Sequence, residues 1–235
     1  MTEEAILNEL SGERARRHVE HITREFPTRM AGTPNGRRMA EYSMVMMTEA
    51  GVAAQMHELP GLVSFPRRTT LEVLGSPPVT MAAMTLGHSE TTTPEGTIGE
   101  LIDIGGGGLT DYDGRDVAGK IVVTDTTSGP GRHGIKLRTM MEKSSVRVRI
   151  KAAVANEWRP IQITVGEIKG QTDDFVVVGA HQDSWEGPQA TDNATGSACI
   201  LELARVFYKH RDKLRRGIVF GFWTAHETGT MIGST

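Results

Sequence analysis

Three stretches near the carboxyl end decide the fold: FVVVGAHQDS over Phe175–Ser184, ATDNATG over Ala190–Gly196, and GIVFGFWTAHETG over Gly217–Gly229. The run Phe175–Val178 is apolar and β-branched, as a buried strand requires. A loop over residues 179–193 follows, then apolar residues at helical spacing over about Thr195–Lys209, then a second buried strand over Gly217–Trp223. Strand, helix, strand in that order predicts a parallel α/β layer. In such a layer, loops at the carboxyl ends of the strands carry the chemistry. That edge receives His181 and Asp183 from the first strand and His226 and Glu227 from the second. An imidazole is a good zinc ligand, and a carboxylate two residues on is placed to orient it. Asp192, just ahead of the helix, reads two ways: as a helix cap, or as a carboxylate bridging two metal ions. A lone His-Glu pair carries little weight, and no second histidine follows at the spacing of a zinc-binding helix. The co-location of three clusters at one sheet edge is what raises the metal reading.

Upstream the pattern changes twice. From Thr2 to Gly51 the chain is rich in Glu, Arg, Ala and Met and predicts two helices. The second, over about Gly36–Ala50, turns Met39, Tyr42, Ser43, Met46 and Met47 inward and ends at Gly51. Methionine at this spacing is core packing rather than a metal surface. A strand leading to Glu58 follows. Between Leu62 and Arg149, short β-like runs (Thr69–Leu74, Gly99–Asp103, Lys120–Thr124, Val146–Ile150) alternate with Gly, Pro, Ser and Thr clusters, which predicts a β-rich insert. The four glycines Gly105–Gly108 lack the spacing of a phosphate loop and read as a turn. The expected organisation is residues 1–61 and 151–235 as parts of one α/β domain, with residues 62–150 inserted between them.

Composition narrows the partners. A net charge of −3 with scattered positive residues argues against nucleic-acid binding. One cysteine, Cys199, forms no disulfide framework within the chain and fits a reducing compartment. The first residues, Met1–Glu13, do not resemble a secretory signal, and no run approaches the roughly 18 apolar residues of a membrane span, so the expectation is a cytoplasmic protein.

The motifs together resemble a known family. Gly179-Ala180-His181-x-Asp183-Ser184, then Ala190-Thr191-Asp192-Asn193-Ala194-x-Gly196 with Leu201-Glu202-Leu203-Ala204-Arg205, then the strand and acidic loop closing in Ile232-Gly233-Ser234-Thr235, are similar to the co-catalytic two-zinc aminopeptidases. Glutamate carboxypeptidase and the transferrin-receptor ectodomain are relatives in which a protease-associated domain precedes the metal motifs. Arg29-x-Ala31-Gly32-Thr33 looks like that family's opening segment, and Val117-x-Gly119-Lys120-Ile121-Val122-Val123 is similar to a strand of its inserted domain.

The resemblance implies a three-layer α/β/α zinc-exopeptidase sheet, incomplete at its carboxyl end, with a shortened protease-associated-like insert. It implies two zinc ions, with His181 on one, Asp192 bridging both and Glu227 on the other, and with Asp183 behind His181. It implies hydrolysis of peptide or acyl-amino-acid substrates by a metal-bridging hydroxide. Two departures stand out: the residue before the ligand glutamate is His226 where the family has a glutamate base, and the chain stops at Thr235, ahead of the family's further Asp and His ligands. The chain therefore reads as a fragment or an internally shortened product of a longer gene, which need not itself be active, with His226 in the place of the base. The alternative is a catalytically inactive, transferrin-receptor-like binding module on the same fold.

Overall fold

The computed structural model describes residues 3–125 and 132–228. The chain divides into two compact units, Met1–Val63 with Glu157–Thr235, and Ser64–Asn156.

The first unit opens with three helices, α1 (Glu3–Leu7), α2 (Gly12–Glu25) and α3 (Pro34–Glu49). Local chemistry sets their limits. Ser11 Oγ accepts from the Arg14 amide to cap α2, and Thr33 Oγ1 accepts from the Gly36 amide to cap α3, with Pro34 in its first turn. Helix α3 buries Met39, Ala40, Ser43 and Met47, and the chain leaves it through Gly51 at φ +93°, a backbone conformation that glycine adopts without steric cost. The inward face expected from the sequence is therefore present, with the helix starting two residues earlier. The expectation of two amino-terminal helices misses the break between Leu7, where α1 ends, and the new cap at Ser11.

Two long strands, β1 (Ala53–Val73) and β5 (Arg147–Ile168), each contribute to both units. Two further strands of the first unit are β6 (Phe175–His181) and β7 (Gly217–Trp223), joined through α5 (Thr195–Lys209). The strand order is β1-β5-β7-β6. β7 pairs antiparallel with the end of β5, Thr164 facing Phe222 and Ile168 facing Ile218. β6 and β7 pair parallel, in register from Phe175 opposite Gly217 to His181 opposite Trp223. The α/β arrangement expected from the sequence is thus the observed one. Alternation along β7 puts Ile218, Phe220 and Phe222 on one face. There they pack with Met47 of α3, Ile168 of β5 and Ile200, Leu201 and Ala204 of α5. A second cluster, Ile22, Phe26, Met39 and Ala194, ties α2 into the same helix layer.

The unit Ser64–Asn156 is β-rich, as the sequence suggests. β1 pairs antiparallel with β2 (Val79–Met81), and β3 (Thr97–Asp103) pairs antiparallel with β5 and parallel with β4 (Ile121–Val123). It also holds a helix, α4 (Arg132–Met141), that short polar-punctuated runs do not reveal. Leu137 of α4 packs with Val73, Met81, Leu101, Val146 and Val148. The four-glycine run is a turn, with Gly105 at φ +72° and Gly107 at φ +77°.

Gly51 offers a direct check on the helix layer. A Cβ there would lie only 2.1 Å from the Tyr208 ring, in a backbone conformation that side chains rarely adopt. Gly51→Ala should lower unfolding free energy by at least about 1–3 kcal/mol, read as a lower urea midpoint at unchanged slope. An unchanged midpoint would show that the α3–β1 turn is not fixed by this contact.

Candidate metal centre

His181 ends β6, three residues beyond the expected strand end at Val178, because the pairing with β7 continues to Trp223. The parallel register places the segment after Trp223 beside it. That segment turns sharply, with Ala225 at φ +62°, and so aims His226 and Glu227 back across the sheet edge. The His226 ring stacks on the His181 ring, centroids 4.2 Å apart and planes 25° from parallel. From the loop before α5 comes Asp192, whose backbone is extended at φ −125°, ψ 91°.

The helix-cap reading of Asp192 fails on geometry. Asn193 Oδ1 accepts from the Gly196 amide at 3.0 Å, so the neighbouring residue fills that role at the start of α5. Asp192 is left to face His181, its Oδ1 3.1 Å from His181 Nε2. One donor atom each from His181, Asp192 and Glu227 all lie within 4.8 Å of one another. Asp183, 1% exposed, lies on the other side of the imidazole, Oδ1 3.5 Å from Nδ1. That separation is too long for a hydrogen bond, and among the described residues neither buried atom has a hydrogen-bond partner. The other Asp183 oxygen, Oδ2, accepts from the Glu227 amide at 3.2 Å. Asp183 therefore touches both strand-end segments.

Electrostatics give the cluster a clear sign. Burial disfavours the charged imidazole of His181, but Asp183, Glu227 and Asp192 outweigh it and hold the group above its ordinary range. Burial and the nearby Asp192 charge push the Glu227 carboxyl up, against the opposing pull of His181. Three carboxylates around one imidazole form a site short of positive charge. An imidazole nitrogen and two carboxylates make a donor set suited to zinc, and the orphaned Nδ1–Oδ1 pair sits where an outer carboxylate steadies a ligating histidine. The residues therefore fit a metal ion.

One participant was not singled out in the sequence as a site residue. Arg29 is fully buried, and its guanidinium donates to the carbonyls of Gln182 (2.9 Å), Pro188 (3.0 Å) and Gln189 (2.9 Å), spanning the loop between Asp183 and Asp192. Burial draws this arginine down to about 10, against the upward pull of Asp183, Asp192 and Glu227. Its only sequence signal is its place at the head of Arg29-x-Ala31-Gly32-Thr33. The expected loop closure at Ile232–Thr235 lies outside the described residues.

The mixed α/β sheet that carries the His-Asp-Glu cluster at its edge is similar in fold to solved aminopeptidases and to a solved Peptidase M28 precursor. Residues 164–235, which carry every residue of the cluster, match Peptidase family M28. The chain is 38% identical over 109 residues to transferrin receptor protein 1 of Gallus gallus, covering 44% of this chain and 14% of that protein. It is 25% identical over 255 residues to the probable lipoprotein aminopeptidase LpqL of Mycobacterium tuberculosis, covering 88% of this chain and 50% of that protein. Its fold is similar to that of BSAP, a zinc aminopeptidase from Bacillus subtilis, at a TM-score of 0.68 and 19% identity over 94% of this chain and 63% of that one. The chain thus spans half or less of these sequence relatives. Among the described residues, no helix is long and apolar enough to cross a membrane.

The crowding of carboxylates predicts a trade between binding and stability. A carboxyl raised in the folded state destabilises the fold as pH climbs from its unfolded value through its folded one, because the native state then loses a proton it held more tightly. Glu227→Gln should therefore raise the thermal midpoint of chelator-treated protein at pH 7–8, with the gain shrinking in acid, where the wild-type group is neutral too. The same change should weaken zinc binding by at least about 100-fold, the upper end of the loss caused by removing an outer partner. A lower midpoint with unchanged zinc affinity would contradict this account of the cluster.

Proposed function

We propose that this chain carries the metal-binding residues of a zinc-dependent exopeptidase site that hydrolyses peptide or acyl-amino-acid bonds. The observation that carries the reading is the convergence of His181, Asp192 and Glu227 within 4.8 Å, on a segment that matches a peptidase family. Two zinc ions are the proposed complement, with Asp192 shared between them, His181 on one and Glu227 on the other. When bound, zinc supplies Lewis acidity that lowers the pKa of water and offsets charge at the substrate carbonyl.

The chain's own residues divide the remaining work. Asp183 is too buried to meet substrate; it steadies the imidazole of His181 and holds the Glu227 backbone. His226 is exposed beside the cluster and is the proposed proton carrier. It takes a proton from the attacking water and returns it to the departing amine as the C–N bond breaks, a role that imidazole chemistry suits near neutral pH. Stacking on His181 holds its ring beside the ligands.

Titration with zinc followed by an aminoacyl-anilide assay tests the reading. Hydrolysis should appear only with zinc and vanish in His181→Ala. His226→Ala should lower kcat by about 100-fold or more while zinc content stays constant, and His226→Glu should retain turnover. Stoichiometric zinc with no hydrolysis of any aminoacyl or acyl-amino-acid substrate would overturn the enzymatic reading. Equal turnover in His226→Ala would remove His226 from the chemistry.

A further inference from the structure

Two adjacent residues, more than 150 positions upstream of the cluster, grip the loop that joins its members. The Thr28 amide donates to the Gly187 carbonyl at 2.8 Å, and Thr28 Oγ1 accepts from the Gly187 amide at 2.9 Å. The Arg29 amide donates to Ser184 Oγ at 3.3 Å. The Arg29 guanidinium reaches the carbonyls of Gln182, Pro188 and Gln189 at 2.9, 3.0 and 2.9 Å. Gln182 lies between His181 and Asp183, and Gln189 lies three residues before Asp192, so one side chain ties the two ends of the loop together.

The choice of side chain is informative. A buried guanidinium is normally paired with a carboxylate, yet among the described residues no carboxylate forms an ion pair with Arg29, and its donors go to main-chain oxygens. Only a rigid fork of several N–H groups spans acceptors on residues 182, 188 and 189 at once. The loop needs such an external hold. Gln189 sits at φ +41°, Gly187 at φ +92° and Thr28 at φ +52°, and non-glycine residues in that region persist when the surroundings over-determine them.

We propose that Arg29 is a positioning residue for the metal centre: it shapes the loop in the metal-free protein, so that Asp192 already faces His181 when an ion arrives. This rests on the metal-site reading above. The prediction separates such a residue from one that merely supports the fold. A supporting residue would change stability and leave the affinity and geometry of a bound ion alone in any variant that folds.

The test uses the full chain, chelator-treated and then titrated with zinc or cobalt, with Arg29→Met and Arg29→Lys beside wild type. In variants that keep the wild-type circular dichroism, Arg29→Met should raise the zinc Kd by about 10–100-fold and alter the visible absorption of bound cobalt. Arg29→Lys, which keeps the charge but not the fork, should recover only part of the affinity. Wild-type affinity and an unchanged cobalt spectrum in a folded Arg29→Met overturn the proposal. Should neither variant fold, amide exchange in metal-free wild type decides. Slow exchange at the Gly187 amide supports a preformed loop, and exchange at the rate of an open chain overturns it. If wild type binds neither ion, the metal-site reading itself falls and takes this proposal with it, an outcome distinct from wild-type binding that Arg29 does not influence.

Discussion

Parallel, in-register pairing of β6 with β7 is the constraint on which the site depends. Because both strands run the same way and His181 lies opposite Trp223, the residues that follow each strand emerge at one edge. An antiparallel pairing of the same two strands would put His181 and Glu227 at opposite ends of the sheet. The register in turn depends on the helix-side face, where Ile218, Phe220 and Phe222 bury against α3 and α5. A slip of one residue would turn those side chains away from their partners and misplace the two loops together. Packing of an ordinary apolar face thus sets the position of polar groups at the edge.

The edge itself is a poor solution for stability alone. It gathers Asp183, Asp192 and Glu227 around one imidazole and, among the described residues, leaves His181 Nδ1 and Asp183 Oδ1 buried without hydrogen-bond partners. Such features concentrate where function opposes stability. A bound cation would resolve the imbalance: positive charge between the carboxylates would remove their mutual repulsion and favour the neutral imidazole as donor. Arg29 contributes positive charge, but its guanidinium hydrogen bonds go to carbonyls of the loop rather than to the acids.

Much of this was legible in the sequence, for identifiable reasons. The helix Thr195–Lys209 and the strand Gly217–Trp223 were read with the observed limits, since each has strong periodicity and clear punctuation. His181 and Glu227 stand at or after strand ends and Asp192 just ahead of a helix; the family resemblance implies the three as ligands, and the fold brings them together. Other features escaped. The long strand β5 was visible only over its first residues, because Pro160 and the run Ala152–Asn156 hide its continuation, while pairing with β3 and β7 sustains it. Helix α4 follows a Thr-, Ser-, Gly- and Pro-rich stretch that reads as a turn in the sequence. Asp192 kept two readings until Asn193 was seen to bond the Gly196 amide. The role of Arg29 depends on contacts across more than 150 residues, which no local pattern encodes.

The central claim is that His181, Asp192 and Glu227 hold zinc. X-ray absorption at the zinc edge, on protein loaded with zinc and freed of excess ion, tests it most directly. The account predicts nitrogen and oxygen neighbours at about 2.0–2.2 Å with the outer scattering of an imidazole, and loss of that imidazole signal in His181→Ala. A zinc shell without imidazole, or one unchanged by His181→Ala, would contradict it.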